Sequence, residues 1–208
     1  MNTRVKQSKL AVIEIAEWSK HDRITSVKPA LEVLCKSFYP EPTFSYSTFV
    51  NKYAFLCTLL HYGNQHGVQY VYIACHGEED HLNSLYDGDE ITAKDIDECL
   101  SDAGKSSYKG IYFGSCLFVK KAAQVILNSK NYNMGWVAGY SGMPDWCRSG
   151  PLDMLFWGKM IVRSAGGREP KIKDVVETLQ KECRGLMHDL DFHVYVKRHG
   201  KIIDLVNS

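Results

Sequence analysis

The chain has 208 residues, with 25 Lys and Arg against 24 Asp and Glu, so its formal net charge is +1. This length suits one sizeable domain, and the balanced charge gives no indication of a nucleic-acid or membrane surface. The longest apolar runs, at 68–75 and 154–157, are too short to span a bilayer.

The cysteines indicate free thiols. There are seven of them, irregularly spaced and without a CxxC pair, at positions 35, 57, 75, 99, 116, 147 and 183. This pattern favours a reducing cytosol over a disulfide framework, and it predicts no zinc ribbon. The first 18 residues have Glu14 and Glu17 within a short apolar run, so we expect no signal peptide and a cytoplasmic location.

Apolar, β-branched runs alternate with segments of helical periodicity along the chain. The predicted strands are 9–18, 44–50, 68–75, 110–116 and 135–142, followed by a hairpin at 191–206. The predicted helices are 26–39, 51–64, 92–104, 118–131, 151–167 and 171–190. Such alternation is typical of an α/β fold, so we expect one domain over 1–208. It would have a mostly parallel central sheet, helices on both faces and a C-terminal edge hairpin.

Two of the predicted strands end at chemically reactive residues. One strand ends at Cys75 and is followed by His76 and Gly77, and another ends in Gly114, Ser115 and Cys116. Functional sites in parallel sheets form beyond the carboxyl ends of strands, so the histidine and the second cysteine are predicted to meet. A nearby imidazolium lowers the pKa of a thiol, which makes the pair suited to nucleophilic acyl transfer.

The residues next to this pair support the same chemistry. The backbone N–H groups of Gly77 and Cys116 are candidate donors to a developing oxyanion. Gly114 allows a peptide to approach the strand end closely.

The order of these elements resembles the caspase-like cysteine peptidases, which include caspases, legumains, gingipains, separases and bacterial CHAT-domain proteases. It consists of strand–His76–Gly77, a helix introduced by EITAKDIDECL, and a strand ending at Cys116. The segment ITAKDIDECLSDAGKSSYKGIYFGSC is most similar to the CHAT style, and WVAGYSG is similar to the substrate-lining strand of caspases. The resemblance covers about residues 68–146.

The resemblance implies a caspase-like three-layer sandwich and a cysteine endopeptidase that needs no cofactor or metal. His76 would be the catalytic histidine, Cys116 the nucleophile and Gly77 an oxyanion donor. The partners would be a protein or peptide substrate and an activating protein, in bacterial antiviral defence or regulated processing. Caspases have Gln-Ala before the cysteine and Arg-Gly after it, whereas this chain has Gly-Ser and Leu-Phe, so aspartate specificity is not implied.

Further substrate-binding residues are expected in two segments. Residues 139–150 would form one wall of the cleft, and residues 17–26 would border it. The candidates are Gly114, Tyr140, Ser141, Asp145, Trp146 and Asp22. In this wall, Asp145 is placed to pair with a basic side chain, or Arg148 with an acidic one.

Several alternatives remain open at this stage. The acidic residues 78–80 are expected to be solvated charges on a loop; the alternative is that one of them orients His76, a task for which a backbone carbonyl would serve as well. Cys75 and the aromatic stripe at 154–162 are expected in the core. A metal site made of Cys75, His76, His81 and Cys116 fits no common zinc spacing. The same fold without activity would be an adaptor or binding module.

Overall fold

The computed structural model describes residues 9–18, 26–38, 41–86, 88–103, 108–165 and 170–208. Within these ranges the strands are β1 Leu10–Ile15, β2 Phe44–Phe49, β3 Tyr70–Ala74, β4 His81–Leu82, β5 Ile91–Thr92, β6 Gly110–Phe113, β7 Trp136–Tyr140, β8 Phe192–Arg198 and β9 Lys201–Asp204. The helices are α1 Lys28–Lys36, α2 Lys52–Gly63, α3 Ala93–Asp102, α4 Val119–Ile126, α5 Trp146–Ala165 and α6 Ile172–Asp189.

Seven strands form the main sheet in the order β2-β1-β3-β6-β7-β8-β9. The first five are mutually parallel, and β8 and β9 are antiparallel additions at one edge. The turn between β8 and β9 uses His199 and Gly200, both with positive φ, as tight hairpins require. The predicted α/β architecture and its C-terminal edge hairpin are therefore confirmed.

Helices cover both faces of the sheet and create two apolar layers. Side chains of α2, α3 and α4, such as Phe55, Ile96 and Val119, pack on one face. Side chains of α1, α5 and α6, such as Leu31 and Phe156, pack on the other. Burial on both sides explains why the central strands are continuously apolar in sequence rather than alternating.

Local sequence signals mark the starts of two helices. Pro29 lies in the first turn of α1, where its missing N–H costs nothing. Thr92 and Asp95 form a reciprocal capping box at the start of α3, as predicted for Thr92. The predicted stop at Gly104 lies outside the described residues. The predicted core positions Cys75 and Trp157 are fully buried.

The structure differs from the sequence prediction at several elements. Strand β6 ends at Phe113 rather than at Cys116, so the thiol lies in the loop after the strand. Helix α5 begins at Trp146 rather than at 151, so the second part of the predicted cleft wall is helical. Helix α4 ends at Ile126, before the predicted end at 131. The turn-rich insert contains a small hairpin of β4 and β5, because two-residue strands leave no periodic pattern.

No helix among the described residues combines the length and apolar content that crossing a membrane requires.

Candidate active site

The ends of β3 and β6 bring the two predicted catalytic residues to one place. The strands are hydrogen-bonded neighbours with Ile73 opposite Phe113, and the Gly114 N–H extends the ladder to the Ile73 carbonyl at 2.8 Å. His76 follows β3 by two residues and Cys116 follows β6 by three, so both lie in the loops at the same edge of the sheet. The prediction that these two strands are adjacent is therefore confirmed.

His76 and Cys116 line the same cleft, which has a volume of about 230 Å³. Three predicted substrate-binding residues, Gly114, Tyr140 and Trp146, also line it. The remaining lining residues are Trp18, Cys75, Ser115, Pro144, Ser149 and Asp153. The cleft thus combines a thiol, an imidazole and aromatic walls at the carboxyl edge of the sheet.

The backbone turns sharply immediately after Cys116. The Phe118 N–H donates to the Cys116 carbonyl at 2.6 Å, which closes a three-residue turn around Leu117. Leu117 has a φ of 61°, which is strained for a residue with a branched side chain. Strained conformations of this kind cluster at functional sites, where the surrounding structure holds them.

The Cys116 thiol is half-buried, and this burial raises its pKa above the ordinary value. The sequence predicted a pKa lowered by an imidazolium, so the resting site differs from that expectation. The reason is that desolvation dominates, and only the residue's own backbone N–H acts in the opposite direction. Deprotonation of this thiol therefore needs a base.

His76 is oriented by a backbone carbonyl. Its exposed ring places Nε2 at 2.5 Å from the Trp18 carbonyl oxygen. Since a carbonyl can only accept, Nε2 carries the proton, and Nδ1 of the neutral ring is left as the acceptor. The Trp18 indole also packs edge-on against the imidazole, with ring centroids 5.3 Å apart. Of the alternatives left open by the sequence, the carbonyl is the one observed.

Trp18 is itself fixed by a buried carboxylate on β1. The indole N–H of Trp18 donates to Glu14 Oε1 at 2.7 Å. Glu14 also accepts hydrogen bonds from the Ser26 hydroxyl, the Val27 N–H and the Tyr46 hydroxyl. Sequence reasoning missed this residue, although a single charge inside the apolar run LAVIEI was a visible signal.

Gly77 lies against the turn that carries Cys116. A Cβ atom on Gly77 would come within 2.8 Å of the Cys116 carbonyl oxygen and 3.0 Å of Ser115 Cβ, so this close approach requires glycine. Among the described residues, the Gly77 N–H has no hydrogen-bond acceptor, whereas the Cys116 N–H interacts with the thiol of its own residue. Gly77 is not among the residues that line the cleft, and the oxyanion role of both N–H groups stays a prediction.

Asp145, predicted to bind a basic substrate side chain, does not line the cleft. Its side chain is exposed and accepts the Cys147 N–H at 2.8 Å, so it caps the first turn of α5. Arg148, the alternative for an acidic side chain, pairs with Asp189 at 2.6 Å. Asp22 lies outside the described residues.

Ser141 belongs to a different hydrogen-bond network. Its hydroxyl lies 2.7 Å from Nε2 of His193, and Nδ1 of that ring lies 2.7 Å from Asp204 Oδ2. This chain of contacts joins the ends of β7, β8 and β9. The next residue, Gly142, accepts the Leu117 N–H at 3.0 Å. The network therefore supports the turn after Cys116 from outside the cleft.

Asp153 is a buried carboxylate on the cleft wall that sequence reasoning missed. It is 2% exposed and accepts hydrogen bonds from the hydroxyls of Tyr72, Tyr112 and Tyr140, the first and last at 2.5 Å. Burial raises its pKa to about 6, although the three phenol donors act in the opposite direction. The available signal was an aspartate on the apolar stripe of PLDMLFW.

The described residues contain no group of three or more His, Cys, Asp or Glu side chains placed to hold a metal ion. Comparison of the chain with protein-family models gives no match, and comparison with curated proteins gives none either. The fold and cleft define an α/β protein with a thiol and an imidazole on adjacent strand ends, and function follows from that geometry.

Proposed function

We propose that the protein is a cysteine endopeptidase with a caspase-like fold, in which Cys116 is the nucleophile and His76 the general acid and base. The observation that carries this proposal is the parallel register of β3 and β6, which brings both residues to one cleft. The resemblance of residues 68–146 to caspase-like peptidases supports the same class.

The geometry suggests how each group would act. Nδ1 of His76 accepts the thiol proton, and Cys116 Sγ attacks the carbonyl carbon of the peptide bond. The N–H groups of Gly77 and Cys116 hold the oxyanion, and the imidazolium gives its proton to the leaving amine. Water then hydrolyses the thioester and regenerates the thiol. The Trp18 carbonyl holds the Nε2 proton throughout, which stabilises the imidazolium.

The biological setting is proposed on the resemblance alone. A protein or peptide would lie across the carboxyl edge of the sheet, and an activating partner would govern its cleavage. Defence or regulated processing in a bacterial cytoplasm fits such an enzyme.

The test compares the alkylation rate of each cysteine by iodoacetamide at about pH 6.5, below the ordinary thiol pKa of about 8.5. In the wild type we expect Cys116 to react faster than the exposed Cys57. His76→Ala should slow Cys116 by about tenfold or more, because the base that removes the thiol proton is gone. The matched control is His81→Ala, which removes an imidazole that pairs with Asp80.

A second candidate function is a catalytically silent adaptor of the same fold. The half-buried Cys116 thiol, with its raised pKa, favours it. Equal, slow labelling of Cys116 in the wild type and in His76→Ala would contradict the peptidase proposal and support the adaptor.

A further inference from the structure

The cleft beside Cys116 is lined by a buried carboxyl group, and no lysine or arginine of the described residues lines it. Asp153 is 2% exposed, and its described partners are the three tyrosine hydroxyls. No Lys, Arg or His among the described residues makes an ion pair with it. A buried carboxylate without a counter-charge is unfavourable, so a fold retains one at a cost in stability.

Asp153 also keeps an unused acceptor site. Its Oδ1 accepts two phenol hydrogen bonds and its Oδ2 accepts one, whereas a carboxylate has about four lone-pair positions. Ser115, 2% exposed, lines the same cleft, and its hydroxyl oxygen has no partner among the described residues. The cleft thus offers two buried oxygen atoms to a ligand with several N–H donors.

The walls and size of the cleft suit one long side chain. The Trp18 and Trp146 rings lie 5.1 Å apart, and aromatic faces attract cations. The volume of about 230 Å³ lies below the range of about 300–1,000 Å³ that is usual for small-molecule sites.

The neighbouring surface has the same sign of charge. A second cleft, of about 460 Å³, shares Trp18 and His76 with the first. It is lined by four carboxylate residues, which are Glu17, Glu78, Asp89 and Glu90. Within the part of the chain that the structure describes, neither cleft has Lys or Arg in its lining. Clefts lined by one sign of charge concentrate ligands of the opposite sign.

We infer that the cleft beside Cys116 binds a Lys or Arg side chain of the substrate, with Asp153 as the specificity-determining acceptor. This inference names the substrate class of the proposed peptidase, and it rests on that proposed function. The cationic group would reach Oδ2 of Asp153 and the Ser115 hydroxyl, and its aliphatic stem would lie against the wall that Trp18 and Trp146 form together.

Thiol reagents of equal chemistry and different charge test this preference. Methanethiosulfonates transfer a thioalkyl group to a thiolate and release methanesulfinate, so they modify any accessible cysteine. The probes are the aminoethyl cation, the neutral methyl compound and the sulfonatoethyl anion. The measured quantity is the rate of the cationic reagent divided by the rate of the neutral reagent at the same cysteine. This ratio should be about tenfold higher at Cys116 than at the exposed Cys57, as expected for a desolvated charge pair.

Two variants distinguish the effect of the buried Asp153 carboxylate from the effect of a carboxylate outside the cleft. Asp153→Asn should bring the Cys116 ratio down to that of Cys57. Asp145→Asn, which removes an exposed carboxylate outside the cleft, should leave the ratio unchanged. Should Asp153→Asn fail to fold, benzamidine should protect wild-type Cys116 from the neutral reagent at concentrations where uncharged benzamide does not.

The inference is overturned if the cation shows no advantage at Cys116, if the anion reacts fastest, or if benzamidine and benzamide protect equally. These results are distinct from a failure of the peptidase proposal. Methanethiosulfonates do not need activation by His76, so the charge preference should persist in His76→Ala.

Discussion

The orientation of His76 depends on a residue 58 positions away in sequence. Trp18 holds the imidazole through its backbone carbonyl and its indole edge, and Glu14 holds the indole N–H. Glu14 therefore acts on the site through Trp18 and contacts neither His76 nor Cys116 in the described hydrogen bonds. Two variants each remove one hydrogen bond to the Glu14 carboxylate. One of these bonds leads to His76 through Trp18 and the other does not, so their comparison separates an effect on the site from an effect on the fold.

Trp18→Phe should slow alkylation of Cys116 several-fold, because the ring loses its anchor to Glu14 and the carbonyl that faces Nε2 becomes less well placed. The measurement is the pH profile of Cys116 labelling, which should be displaced in Trp18→Phe relative to the wild type. Its matched control is Tyr46→Phe, which removes another donor to Glu14 and leaves the Trp18 link intact. Equal effects of both variants on the profile would show that Glu14 has only a structural role.

At the residue level, sequence reasoning found the groups that follow strands directly. His76, Cys116, Gly114 and Tyr140 were predicted because a strand end fixes the edge of the sheet where each residue emerges. Asp153 was missed because its role comes from a contact with Tyr72 across 81 residues, and no local pattern encodes such a contact.

Among the elements, the segments after β3 and β6 are the most tightly constrained. Gly77 packs against the Ser115–Cys116 backbone, and Leu117 adopts a positive φ to turn the chain into α4. The carbonyl of Gly142, beyond β7, accepts the Leu117 N–H. Three strand ends therefore share in fixing the position of the thiol.

Gly77→Ala should lower the free energy of unfolding by about 1–3 kcal/mol, since the added Cβ would lie 2.8 Å from the Cys116 carbonyl oxygen, a backbone atom that cannot move alone. It should also slow Cys116 alkylation, because relief of the collision displaces the turn. The control is Gly185→Ala in α6, where a Cβ meets nothing within 4 Å. That change should raise stability by about 0.5–1 kcal/mol through helix propensity. Urea denaturation measures both, and a stable, fully reactive Gly77→Ala would contradict the close packing.

Element boundaries were predictable where a side chain caps the backbone in an obvious way. Thr92 is predicted as the N-cap of α3, and the structure confirms it and adds Asp95 as the reciprocal partner of a capping box. The sequence predicts that α5 starts at Pro151, whereas Asp145 accepts the Cys147 N–H and the helix begins at Trp146.

In the whole molecule, the alternation of strands and helices predicted a mostly parallel sheet, and the structure confirms it. The order of strands was only partly predictable. Adjacency of β3 and β6 follows from the single crossover through α3, while the placement of β1 between β2 and β3 depends on which helices cover which face. That placement depends on packing between residues distant in sequence, in the apolar layers on the two faces of the sheet.

The same long-range packing buries the Asp153 carboxyl group, and its ionisation near neutral pH lowers the free energy of unfolding. Burial among Tyr72, Tyr112 and Tyr140 raises the pKa of Asp153 from 3.8 to about 6. The folded protein thus binds this proton more tightly than the unfolded chain. Stability is then highest below the unfolded pKa and falls as pH rises toward the folded one. Asp95 and Asp204 have lowered pKa values, so their contributions are lost at lower pH, below about 4.

The free energy of unfolding should therefore fall between about pH 4 and pH 6, with Asp153 accounting for about 3 kcal/mol of the decrease. Urea denaturation of the wild type and of Asp153→Asn across this range isolates that contribution, since asparagine does not titrate. The difference in stability between the two proteins should change with pH and then level above about pH 6. Asp145→Asn, with its exposed side chain, serves as the control. A difference that stays constant with pH would mean that Asp153 is neutral or ionised throughout. If it were neutral throughout, the cleft would have no charge with which to select a cationic side chain.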